Sequence, residues 1–519
     1  MNLDLETYRE KVRGCWMGKS IGGTLGAPYE CKRGVFDVSF YTQDLSGGAP
    51  PNDDLDIQLV WLNAAERYGR ALTSGILAEY WTSWIVPNWA EYGAGKNNLR
   101  MGIAPPLSGQ VNNLYRDSNG AFIRSEIWAC LAPGHPEIAA LMAFEDATVD
   151  HAREGLHAEI FCAALESAAF AEPDPRRLLD IALSYIPKGC GVARGVAAAV
   201  SAYDAGVTWQ EARRRVLTEV PGSFGALATP RADMPRDIPL GPTGWDAPGN
   251  VGITVLGWLY GKGDFGRSLC TAVNCGEDTD CTAATLGALL GILGGYRAIP
   301  RKWIEPVGDG ITTLCVNKAD GGLSIPRSVS ELTDRVVRLA PFFLGPALCD
   351  CVTPAHGYQI SMNGGDSLFN APVPLNAWAE RKFEDRIAES PFVLRQQSPL
   401  FTVWLNYHDE PFIRDGVART FTVTLENALA MQQWCTLRWH LPAGWEVTPA
   451  RQITVPLEQF NSSVGRATTT FTLTPRGLDQ PRYDLVLDIA SNGRSTRVLV
   501  PVTLLSGHAT TEVPARAVE

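Results

Sequence analysis

Three carboxylates, Glu277, Asp278 and Asp280, open the stretch "NCGEDTDCTAATLGALLGILGG" at residues 274–295. The small and apolar residues behind them suit a buried segment. A second acidic group, Asn52, Asp53, Asp54 and Asp56 in "PNDDLDIQLVWL", also begins a stretch of helical spacing. Each group has two readings. Acids at a helix N-terminus accept its orphan N–H bonds and complement its dipole, an effect of roughly 0.3–1 kcal/mol each. Oxygen ligands crowded into a turn also grip a hard divalent cation. One helix end needs one capping acid, not adjacent pairs. Residues two apart on a helix point about 200° apart. For Asp278 and Asp280 to converge, at least one must sit in the preceding turn. Carboxylates brought that close repel unless a cation neutralises them. The Asp53–Asp54 pair offers the rest of a shell.

Other elements must bring the two groups together. Ala283, Ala284, Gly287, Ala288, Gly291 and Gly294 give the second segment slim faces, against which another helix can pack closely. Residues 1–345 read mostly as helix, with strand-like alternation rare. "LDIQLVWLNAAERYGRAL" places Ile57, Val60, Trp61 and Ala64 on one face, and "GLHAEIFCAALESAAFAE" continues the pattern. The expectation is an all-α catalytic domain over 1–345, with no repeat period. Residues 346–392, rich in Pro, Gly and Asn, read as a linker. Over 393–507, runs such as "LFTVWLNYH", "TFTVTLEN" and "RATTTFTLTP" alternate in the manner of strands and predict an immunoglobulin-like β-sandwich. Residues 508–519 read as a loose tail.

At 519 residues the chain exceeds one ordinary core. Its net charge of −11, from 45 basic and 56 acidic residues, argues against a general nucleic-acid binder. No apolar run is long enough to span a membrane. The opening "MNLDLETYREKVRG" is charged where a signal peptide would be apolar. Twelve cysteines without a paired CxxC framework read as reduced thiols in a cytoplasmic protein, so the sequon at Asn461 carries no weight. The sequence leaves the oligomeric state open.

"GGTLGAPYE", "PNDDLDIQLVWL", "SNGAFIRSEIWA" and "CGEDTDCTAATLGALLGILGGYRAIPRKW" occur in the order found in the ADP-ribosylglycohydrolase superfamily. The chain resembles that superfamily, which includes the dinitrogenase reductase-activating glycohydrolases, over about residues 8–340. The resemblance implies an all-α fold with two divalent ions, Mg²⁺ or Mn²⁺, in a central cleft. It implies metal ligands at Asp53, Asp54, Asp278 and Asp280, and an active-centre acid at Glu30. Ser118, Asn119 and Gly120 match a loop that contacts ribose and phosphates. His151 matches a histidine after the central helix, a position where an ordinary polar helix residue would also fit.

The chain departs from the family pattern in three places. Asn52 stands where Ser or Thr is common, and its carbonyl can still ligate a cation. Cys281 stands where Ser or Thr follows the D-x-D, and a thiol is a poor magnesium ligand, which leaves Thr282 or water to serve. Gly23 stands where the family has an acid. Outside these motifs, "GPTGWDAPGNVGITVLG" at 241–257 is either a phosphate-holding helix start or a surface connection, with Trp245, Asp246 and Asn250 as its candidates.

The expected chemistry is metal-dependent hydrolysis at a ribosyl C1 of an ADP-ribosylated substrate. Asp54 and Asp278 would be catalytic within the frame, and Glu30 would transfer the proton. The alternatives are a hydrolase of small ribosyl or other furanosyl glycosides and nucleosides, and a non-catalytic ADP-ribose-binding protein.

Overall fold

Glycine recurs at positions 14, 18, 22 and 26, one stripe of an α-helix. The computed structural model describes residues 1–220, 244–318, 322–353, 357–370, 373–376, 379–381, 390–459 and 465–507. In it the stripe of helix Leu5–Gly26 packs antiparallel on helix Thr279–Gly294. A Cβ on Gly14, Gly18 or Gly22 would fall closer than 3.0 Å to the carbonyls of Gly291, Gly287 and Ala283 in turn. Only residues without a side chain at these crossing points let two helix backbones approach so closely. One on Gly26 would strike Thr279 and Asp280. The Thr279 hydroxyl donates to the Gly26 carbonyl at 2.8 Å, which pins the end of the first helix to the D-x-D turn.

Capping is done by other groups than the paired aspartates. Helix Asp53–Tyr68 is capped by Asn52, whose side-chain oxygen accepts the Asp54 N–H at 2.7 Å. Asp278 occupies the N-cap position of Thr279–Gly294 but makes no side-chain capping bond. Asp56 accepts the N–H groups of Leu314 and Cys315 at 2.6 and 2.7 Å and so ties down a loop. Glu277 sits at φ +70° and makes a two-point ion pair with Arg33 at 2.6 and 3.2 Å. Its own N–H donates to the Lys32 carbonyl. Glu277 is therefore a buried staple that holds the turn against the segment after Glu30.

By internal contacts the first unit comprises Met1–Gly93 and Leu114–Asn370. Its boundary differs from the expected 345. Within the expected linker, Gly357–Ser361 is the central strand of a three-stranded antiparallel sheet, between Asn2–Asp4 and Cys349–Thr353. Val373–Asn376 and Ala379–Arg381 form a further short pair.

The second unit comprises Ala94–Asn113 and Ala371–Glu519. It has two five-stranded sheets around one apolar core. The expected alternation holds, as in Arg419–Asn427, where Phe421, Val423 and Leu425 are buried. Pairing is antiparallel except where Phe412–Ile413 runs parallel to Arg497–Ser506. Ile103, Leu107 and Val111 join this core, although the sequence reading placed them in the helical domain. Asn98 donates to the carbonyls of Ser108 and Val111 and folds that segment on itself. Positions 241–243, the sequon at Asn461 and the tail 508–519 lie outside the described residues. Among those described, no helix is long and apolar enough to cross a membrane.

Candidate active site

Two helix starts and one turn converge in the first unit. Asn52 donates to Asp280 Oδ2 at 3.0 Å, and Asn119 donates to Asp278 Oδ2 at 2.9 Å. The Asp278 N–H in turn donates to Asn250 Oδ1 at 3.2 Å. Tyr92 donates to Asp53 Oδ2 at 2.7 Å, and the Cys281 thiol lies 3.5 Å from Asp54 Oδ1. Each amide or hydroxyl orients one oxygen of its carboxylate. Asp54 Oδ2, Asp278 Oδ1 and Asp280 Oδ1 are buried and have no hydrogen-bond partner among the described residues.

The electrostatics agree with that crowding. Burial, then the charge of Asp280, holds the Asp53 and Asp278 carboxyls above their ordinary range. Burial raises Asp54 strongly, and Lys19 opposes it. Glu30 is pushed up to about 8, first by Asp280 and then by desolvation, although its side chain opens to solvent at the cleft mouth. Crowded carboxylates with buried oxygens that lack hydrogen-bond partners are the donor set a divalent cation satisfies. Oxygens of Asp54 and Asp280 and the sulfur of Cys281 lie within 4.8 Å of one another, as do the corresponding atoms of Glu30, Cys31 and Asp278. Asp53 belongs to neither group, and its half-buried carboxylate lines the cleft beside them. Thr282, the expected substitute for Cys281, is fully buried and donates to the Thr279 carbonyl of its own helix.

The cleft has a volume of about 350 Å³. Besides the acids it is lined by Asn119, Gly120, Trp245, Tyr115, Trp89, Glu91 and Tyr92. A Cβ on Gly120 would displace the end of the Glu91 side chain. Ser118 and His151 were expected to meet the substrate, but both are buried behind the lining. The Ser118 hydroxyl is 3.0 Å from His151 Nε2, and His151 Nδ1 is 2.9 Å from Asp150 Oδ1. They brace the loop that presents Asn119 and Gly120.

The 245–250 segment splits in the same way. Trp245 reaches the cleft, and its indole N–H donates to the Cys31 sulfur. Asp246 bridges to Ser118 through the backbone, and Asn119 N–H donates to the Trp245 carbonyl at 2.8 Å. Asn250 is 1% exposed, and its amide is spent on the carbonyls of Gly244 and Asp246. It positions the D-x-D turn and has no group left for a phosphate.

Sequence reasoning missed Cys31, Tyr92 and Lys19. Lys19 is buried in the glycine-striped helix, 2.7 Å from Glu126 Oε1 and 3.8 Å from Asp54 Oδ2. Its signal was a lone charge inside the apolar stretch "GCWMGKSIGG". Gln58 completes the group, donating to Glu126 Oε2 at 2.8 Å and to the Asp54 carbonyl at 2.9 Å.

The helical unit thus presents an acid-lined cleft beside two helix starts. The family model ADP-ribosylglycohydrolase matches residues 4–337, and the chain belongs to that family. Membership makes glycohydrolase its activity class. No curated protein matches the chain. Among solved structures, an "ADP-ribosylglycohydrolase-related protein complex" is 18% identical, covering 65% of this chain and 99% of its own, with a TM-score of 0.42. An ASH/PapD-like domain of human CEP192 is 15% identical, covering 21% of this chain and 87% of its own, with a TM-score of 0.15. Neither likeness is close enough in shape to carry an argument.

Proposed function

We propose that the protein hydrolyses the C1 bond of a ribosyl group, with an ADP-ribosylated molecule as substrate and two divalent ions as cofactors. The observation that carries the reading is the pair of buried oxygens without a hydrogen-bond partner on Asp278 and Asp280 at one cleft, with an Asp54 oxygen within 4.8 Å of Asp280. Asp53, Asp54, Asp278, Asp280 and the flanking Asn52 and Cys281 would hold the ions. When bound, such ions orient sugar hydroxyls and make a water more acidic.

The chain's own groups do the rest. Asn52 and Asn119 fix the carboxylates so that no reorganisation is needed during the reaction. Trp245, Tyr115 and Trp89 offer faces for a sugar or base and keep water from its flanks. Water adds to C1 as the bond to the leaving nitrogen or oxygen breaks, through an oxocarbenium-like state. Glu30, at the mouth and beside Asp280, is placed to move the proton between water and leaving group. We read the two-sheet unit as an immunoglobulin-like sandwich. The scattered free thiols support a reducing compartment such as the cytoplasm.

The test is release of product from ADP-ribosyl-arginine, ADP-ribosyl-serine and simple ribosides in the presence of Mg²⁺ or Mn²⁺. Turnover of an ADP-ribosyl conjugate, lost in Asp280→Ala, is expected. Activity on ribosides alone would replace the substrate assignment with small furanosides, a reading that the cleft's modest volume of about 350 Å³ favours. Ligand binding without turnover of any substrate would leave a binding protein.

A further inference from the structure

We propose that the cleft is a mixed oxygen–sulfur frame, in which Cys31 and Cys281 each ligate an ion and select zinc- or cobalt-class cations over magnesium. The inference rests on reading the acid frame as a metal site. Each of two groups at the cleft brings a thiol against carboxylate oxygens: Cys281 with Asp54 and Asp280 in one, and Cys31 with Asp278 in the other, where Glu30 stands beside them for proton transfer. Each group also contains a buried carboxylate oxygen without a partner, Asp280 Oδ1 in the first and Asp278 Oδ1 in the second.

The two thiols reach the frame by different routes. Cys281 follows the D-x-D in the first turn of its helix and lies against Asp54. Cys31 is held at φ +56°, a conformation unusual for a residue with a side chain, and its sulfur accepts the Trp245 indole N–H. Magnesium favours six oxygens in a strict octahedron, whereas thiolates select zinc and cobalt. As each sulfur–metal bond forms, the thiol gives its proton to solvent.

The experiment is a cobalt titration of the chelator-stripped full chain. A third thiol, Cys190, lies with Glu154 and His157 in a similar group, so Cys190→Ser is the background for every sample. A thiolate-to-cobalt charge-transfer band is expected in the near ultraviolet. It should weaken in Cys31→Ser and in Cys281→Ser and vanish in the double variant, which still takes up cobalt on its carboxylates. A second measurement keeps the native thiols: Zn²⁺ should shield Cys31 and Cys281 from alkylation, read by mass spectrometry, while Mg²⁺ should not. Cobalt uptake without the band, or thiols alkylated equally with Zn²⁺ and Mg²⁺, overturns the sulfur ligands and leaves the metal site standing. No uptake of any divalent ion overturns the metal site as well.

Discussion

Replacing Lys19 by methionine removes the one ammonium that faces both Glu126 and Asp54. The three side chains are 1%, 0% and 2% exposed, so water cannot take over. Removing one partner from a buried pair costs about 3–5 kcal/mol, because a charge is left uncompensated. Glu126 keeps its bond from Gln58, which places the expected loss near the lower end, about 3 kcal/mol. The loss should depend on pH. Burial already holds the Asp54 and Glu126 carboxyls above their ordinary range, and Lys19 pulls both back. Without it they rise further. A carboxyl raised in the folded state costs stability as pH climbs above its unfolded value of about 4. The Lys19→Met deficit should therefore be larger at pH 8 than at pH 5. Urea unfolding followed by fluorescence reads this as a lower midpoint with an unchanged slope. Lys19→Met with Glu126→Gln should recover most of it, since a neutral amide no longer needs the ammonium. A single variant as stable as the parent at pH 8 would refute the account of Lys19 as the internal counter-charge.

Gly18→Ala should destabilise by about 1–3 kcal/mol or more, because its Cβ meets the Gly287 backbone, while Gly47→Ala, with nothing within 4 Å, should change little; thermal unfolding of both variants checks this. Glu30→Gln should lower kcat by about 10²–10⁴-fold with circular dichroism unchanged, as its exposed side chain carries no fold contact beyond its neighbour. Divalent ions should raise the melting temperature, and by more at pH 8 than at pH 5.5, because Asp53, Asp54 and Asp278 hold protons to unusually high pH and the ion must displace them. An increment that is the same at both pH values would count against the acids as its ligands.

That the two acidic groups come together was legible in the sequence, because D-D and D-x-D at two helix starts crowd more carboxylates than capping needs. The slim helix behind Asp280 was legible too, as small residues in register have few other uses. Which polar residues face the cleft was not. Ser118 and His151 lie on loops beside the cleft and Asn250 in the first turn of helix Ala247–Gly261, yet all three side chains are buried in bracing bonds, and spacing does not encode which way a side chain faces. Cys31 was missed because its place depends on a left-handed backbone turn, and Lys19 because its partners lie 35 and 107 positions away. The strands Cys349–Thr353 and Gly357–Ser361 were missed because the second of them pairs with the chain's own start, far away in sequence.

The central claim is that the two acidic groups exist to bind divalent ions. Equilibrium dialysis of the chelator-stripped protein against Mn²⁺ tests it most directly. The account predicts two ions per chain, one for each ligand group, falling to one or none in Asp54→Asn/Asp280→Asn with the fold intact. A wild-type chain that binds no Mn²⁺, Mg²⁺ or Zn²⁺ would contradict it.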